Sequence, residues 1–156
     1  MITTQELLNP YLLENANELE LSDKINHLSS QYRNSEEFKD IAFNINLESE
    51  LLIVYGEFIA RLTEDTQNQK NNLENKIIKD AYDKRKEYAQ DNYFERRNMP
   101  NFEYFKAQAS DNYKLELDKL RHKEAMLIRF KRCYTSVENK QNALKKKLEA
   151  IKYDNE

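Results

Sequence analysis

The chain has 156 residues, with one Gly, two Pro, one Cys and two His. So few turn-forming residues argue against a sheet-rich fold and remove the glycine-rich loops that cradle nucleotide phosphates. One Cys and two His cannot build a disulfide framework or a Cys/His zinc site. Charged residues make up 34% of the chain, its net charge is -3 and its mean hydropathy is -0.98. No apolar run approaches the roughly 20 residues of a membrane span, and no secretory signal is visible at the N-terminus. A cytoplasmic location without membrane partners is therefore expected. No cofactor, metal or catalytic constellation stands out, so the expected function is binding, scaffolding or assembly.

Residues 1–33 are expected to form an acidic helical segment of one or two short helices. Thr3-x-x-Glu6 has the spacing of a capping box, Leu7, Leu8, Tyr11 and Leu12 form a small apolar face, and Ser22 could cap a second piece carrying Ile25, Leu28 and Tyr32. Residues 34–156 are expected to form a long helical hairpin. Over 36–97 the positions Phe38, Ile41, Ile45, Leu52, Tyr55, Ile59, Leu62, Leu73, Ile77 and Ala81 follow the three–four spacing of a coiled-coil seam. Asn34 or Ser35 could cap that helix, with Glu37 completing a capping box to Asn34. The seam turns polar at Thr66 and Gln69. Gly56 costs on the order of 1 kcal/mol inside a helix, which a close backbone approach would explain.

Pro100 disfavours helix at Met99, and a loop is expected over 98–110. Ser110 or Asp111 should then cap a second long helix, running to about 152, with a seam of Tyr113, Leu117, Leu120, Leu127, Phe130, Tyr134, Val137, Leu144, Leu148 and Ile151. The predicted fold is all-α, two long antiparallel helices with a short helical N-terminal segment. The two long helices are unequal, so part of the longer needs the N-terminal segment or another subunit. A thin helix pair buries little surface per residue, and a homo-oligomer is expected.

Charge is uneven. Residues 1–50 hold ten Asp/Glu against three Lys/Arg, whereas residues 110–156 hold twelve basic against eight acidic residues. An anionic partner for the C-terminal half would fit this gradient, as would solvated surface and contacts between the halves. Residues 82–113 hold eight of the seventeen aromatic residues (Tyr82, Tyr88, Tyr93, Phe94, Phe102, Tyr104, Phe105 and Tyr113), interleaved with Lys84, Arg85, Lys86, Arg96, Arg97 and Lys106. Cations follow a phosphate backbone and aromatic faces stack on unpaired bases, a combination suited to single-stranded nucleic acid. The same aromatics could plug the end of a hairpin, and Asp83, Glu87, Asp91 and Glu95 lie among the cations. Further along, Arg121, Arg129, Arg132 and Lys140 fall near one helical face, followed by Lys145, Lys146, Lys147 and Lys152. That arrangement suits a phosphate track or a soluble coiled-coil exterior. His27 and His122 read as surface residues, and Cys133 as a partly buried structural thiol without a residue spaced to activate it. Glu48 with Glu50, and Glu116 with Asp118, are two apart and so face different ways on a helix.

The run Lys79-Asp80-Ala81-Tyr82-Asp83-Lys84-Arg85-Lys86-Glu87-Tyr88, ending a long helix, and the later Ser136-Val137-Glu138-Asn139-Lys140-Gln141-Asn142-Ala143-Leu144-Lys145 resemble phage recombination mediators of the UvsY type over roughly residues 38–152. The resemblance implies a ring-like homo-oligomer that binds single-stranded DNA. Such a protein loads a RecA-like recombinase onto DNA covered by single-strand-binding protein, without catalysis. For a phage-encoded chain this would take place in the host cytoplasm. Its DNA contacts would fall on Lys84, Arg85, Lys86 and Tyr88. Electrostatics alone adds Arg96, Arg97, Lys140, Lys145, Lys146 and Lys147. Two other readings are a coiled-coil scaffold or adaptor that ignores DNA, and an inhibitor whose acidic N-terminal third mimics nucleic acid.

Overall fold

The structure, a computed structural model, describes residues 16–34, 36–91 and 98–154. Among them are four helices and no strand: α1 (Ala16–Ser30), α2 (Phe38–Asp91), α3 (Phe102–Asp111) and α4 (Lys114–Asp154). The fold is all-α, and the two long helices pack against each other as a hairpin. The Thr3–Glu6 capping box, the apolar face of Leu7, Leu8, Tyr11 and Leu12, and Ser35 lie outside the described residues.

The chain divides into two compact units that cut across the 1–33 and 34–156 segments: residues 1–63 with 124–156, and residues 64–123. In the first unit, α1 contributes Leu21 and Ile25 to a core with Leu51, Tyr55, Phe58 and Leu62 of α2 and Met126 and Phe130 of α4. Phe58 stacks on Phe130 with ring centroids 4.8 Å apart and planes 11° from parallel. Phe58 meets Phe130, while the earlier Ser49 meets the later Gln141, so α2 and α4 run antiparallel here. Each fully buried Phe, Leu or Ile contributes roughly 1.5–3 kcal/mol. The excess length of α2 thus finds partners within the chain. Ser22 is a buried residue inside α1 rather than the cap of a second piece, because Leu21 and Ile25 on either side belong to one continuous buried stripe.

The connector from α1 to α2 is held by a buried side chain. Asn44, fully buried, accepts from the Arg33 N–H (3.0 Å) and donates to the Arg33 C=O (2.8 Å). Both backbone groups of a non-helical residue are thereby satisfied. The first turn of α2 opens on the Glu37 carbonyl, which accepts from Ile41 N–H at 3.0 Å. Glu37 therefore occupies the cap position expected for Asn34 or Ser35.

In the second unit Leu73, Ile77 and Ala81 of α2 pack with Phe105 and Ala109 of α3 and Leu120 of α4. The loop expected over 98–110 is a loop only as far as Asn101. The Asn101 side chain caps α3, its Oδ1 accepting from the Tyr104 N–H at 3.1 Å, and Phe105 and Ala109, four residues apart, bury one face of the helix. Ser110 and Asp111 accordingly end α3 instead of capping α4. The Ser110 hydroxyl donates to the Lys106 carbonyl (2.8 Å), and α4 opens on the Tyr113 carbonyl, which accepts from Leu117 N–H at 2.9 Å.

Candidate nucleic-acid interface

The expected contact residues divide between the units. Lys84, Arg85, Lys86 and Tyr88 lie in the second, Lys140, Lys145, Lys146 and Lys147 in the first. Arg96 and Arg97 lie outside the described residues. Arg85 and Lys86 are exposed and Lys84 is half-buried. The Tyr88 ring packs on the second core and meets Phe105 edge-on, centroids 5.6 Å apart. Tyr88 is half-buried by this packing and so offers less surface to a base than a fully exposed ring. Two more exposed rings stand in this unit: Tyr82, 52% exposed, and Tyr104, 47% exposed.

Lys140 is engaged inside the fold. Its Nζ stands 3.5 Å from Glu48 Oε1 and 3.8 Å from the centroid of the Tyr32 ring. Glu48 is buried, and Oε1 is charge-paired without a well-formed hydrogen bond. Burial pushes the Glu48 carboxyl above the usual carboxylate range, and the Lys140 charge opposes that shift without cancelling it. Beside this pair, Gln141 Nε2 donates to the Ile45 carbonyl (3.1 Å) and to Ser49 Oγ (2.5 Å). Asn44, Glu48, Ser49, Lys140 and Gln141 thus make a polar layer in the first unit. The sequence signal for it was present: Asn44, Glu48 and Gln141 stand at three–four spacing from apolar seam residues, and polarity alone hid them. Lys145 Nζ donates to Gln141 Oε1 (3.3 Å) at the edge of this layer.

Three smaller expectations meet the structure directly. Glu48 is buried while Glu50 is exposed, so the two do not form a carboxylate pair. Both His27 and His122 are exposed. Cys133 is half-buried, and burial pushes its thiol above the ordinary range, away from the reactive thiolate. In the second unit the Tyr113 hydroxyl donates to Asp80 Oδ2 at 2.6 Å; that bond, with burial and the Asp80 charge, raises the phenol above its ordinary range.

The outer surface of α4 in the first unit has a different character. A depression of about 510 Å³ is lined by Ile128, Lys131, Arg132, Thr135, Ser136 and Asn139. Five of these carry hydrogen-bond donors and none is acidic. Arg129 and Lys146 are also exposed on this helix. Among the described residues no group of three or more His, Cys, Asp or Glu could hold a metal ion, and no helix is long and apolar enough to cross a membrane. No family model matches the chain, and no curated protein and no solved structure matches it either.

Proposed function

We propose that the protein binds single-stranded DNA without catalysing a reaction on it. The observation that carries this reading is the outer face of α4, where Lys131 and Arg132 stand beside three uncharged donors with no carboxylate among them. Phosphate oxygens are acceptors only and are met by cations, hydroxyls and amides of this kind. Exposed Arg85, Lys86, Tyr82 and Tyr104 in the second unit add cations and rings, which favour unpaired bases over duplex. The resemblance to recombination mediators extends the proposal to a homo-oligomer that assists a RecA-like recombinase on DNA covered by single-strand-binding protein.

Fluorescence anisotropy with labelled oligo-dT and a duplex of equal length, at two salt concentrations, tests the binding. The single strand should bind tighter. Its affinity should fall by roughly 0.7 log units per phosphate contact for each tenfold rise in salt, and replacing Lys131 and Arg132 by Gln should flatten that slope. Absence of binding at low salt overturns the proposal in favour of a scaffold. Light scattering tests the assembly: a mass near 18.8 kDa, that of one chain, would remove the oligomer.

A further inference from the structure

We infer that the base-stacking platform of this protein is Tyr82 with Phe102, rather than Tyr88, and that Lys79, Arg85 and Lys86 hold the flanking phosphates of a single strand. The inference rests on the single-stranded DNA reading above and places its stacking site in the second unit.

The geometry begins with an exposed ring that has a firm back. Tyr82, on α2, is 52% exposed. Phe102, the first residue of α3, lies against it, with ring centroids 4.8 Å apart and planes inclined at 41°. Phe102 in turn packs on the second core. Its position is fixed by the Asn101 cap and by the burial of Phe105 and Ala109 on the same short helix. Tyr82 is therefore buttressed on one side and open on the other. A tyrosine held in this way loses little side-chain freedom when a base stacks on it, so the contact is less opposed by entropy than one made by a free ring. Tyr88 lacks this openness, since its ring belongs to the core packing.

The charge around Tyr82 is sorted by the helix. At 100° per residue, Lys79, Arg85 and Lys86 fall within roughly 60° of Tyr82 around α2, whereas Asp80, Asp83 and Glu87 lie roughly 100° or more away. All three cations are exposed. In sequence the acids look interleaved with the bases; on the helix they occupy the other side, where Asp80 accepts from Tyr113. Glu103 is exposed one residue beyond Phe102, and three cations outweigh that single carboxylate. An exposed, backed ring within a group of three cations matches a strand carrying one negative charge per nucleotide and an unpaired base. A duplex keeps its bases stacked on one another and leaves the ring unused.

The test uses the full-length chain and three probes: oligo-dT, an oligomer of the same length and charge with abasic sugars, and duplex. Tyr82→Ala should weaken oligo-dT binding by roughly 5- to 150-fold, the range of one base–aromatic stack, with an unchanged salt slope. Tyr82→Phe should bind as wild type does. The abasic strand should bind wild type and Tyr82→Ala equally. Arg85→Gln with Lys86→Gln should weaken all strands and flatten the slope. Circular dichroism establishes that the variants remain helical, and the exposure of Tyr82 makes that the expected result. If Tyr82→Ala binds oligo-dT as wild type does, the platform is wrong while DNA binding stands, and Tyr82 serves only to cover Phe102. If wild type binds no single strand at low salt, the DNA reading itself falls and takes the platform with it.

Discussion

Replacing Glu48 by Gln should leave the protein as stable as wild type at pH 7 or make it more stable, and should abolish one component of its pH dependence. Glu48 and Lys140 are 3.5 Å apart, which at an effective dielectric of 20 gives an attraction of about 5 kcal/mol. Taking a carboxylate out of water costs several kcal/mol. The Lys140 side chain is 44% exposed against 1% for Glu48, so water screens the cation and the attraction falls below its nominal value. Burial wins, in keeping with a carboxyl raised above its ordinary 4.5.

The folded state therefore holds this proton more tightly than the unfolded state. The contribution to stability is greatest below pH 4.5 and is lost as pH rises through the higher folded value. Gln keeps the shape and fixes the neutral form. Urea unfolding followed by circular dichroism from pH 4 to 7 should show the variant gaining stability relative to wild type as pH rises towards 7, with the difference vanishing towards pH 4. Other carboxylates titrate in both proteins and cancel in the difference. A Gln variant that is less stable than wild type by more than about 2 kcal/mol at pH 7, or a difference that is constant with pH, would refute the reasoning.

Phe130→Ala should cost about 3–5 kcal/mol in the same assay, since its ring is fully buried; a double-mutant cycle with Phe58→Ala should return about 0.5–1.5 kcal/mol for the stack. Gly56→Ala should stabilise by about 0.4–1 kcal/mol and raise the melting temperature by roughly 1–4 °C. The added methyl meets Tyr134 Cε2 at 3.9 Å, an ordinary contact, so no close approach demands the glycine. Cys133 should react slowly with iodoacetamide at pH 8 in the native protein and much faster once urea unfolds it, because burial disfavours the thiolate. Equal rates in the two states would contradict its half-buried position.

The second long helix was readable nearly residue by residue. Leu120, Phe130 and Leu144 are buried, and Leu127, Tyr134, Val137, Leu148 and Ile151 are half-buried beside them. On α2 the expected stripe was displaced by one residue at three places: Asn44, Leu51 and Phe58 lie deeper than Ile45, Leu52 and Ile59. Neighbouring apolar residues differ by 100° around a helix, and only packing decides which of them faces inward. Phe38, expected on the seam, is 46% exposed, because Ile41 is the first residue of α2 to be buried. Burial of Asn44 and Glu48 could not be read from polarity. Both are positioned by residues distant in sequence, Arg33 for one and Lys140 for the other. The candidate site was legible as composition, but not which ring is exposed: Tyr88 and Tyr82 are equivalent in a list of aromatics, and only packing leaves Tyr88 half-buried against the second core and Tyr82 exposed.

The buried stripe on α2 runs through both compact units. Ile41, Glu48, Tyr55 and Leu62 recur every seven residues, the period that keeps one face of a helix against a partner in a left-handed coiled coil, and Thr66 and Leu73 keep the same interval further along. The third helix differs between the units: α1 adds Leu21 and Ile25 beside the first part of the stripe, and α3 adds Phe105 and Ala109 beside the second. The donor-lined face of α4 and the Tyr82 ring therefore fall in different units. On the proposed single-strand reading, the Lys131/Arg132 variant should flatten the salt slope of binding, whereas Tyr82→Ala should lower affinity and leave that slope unchanged.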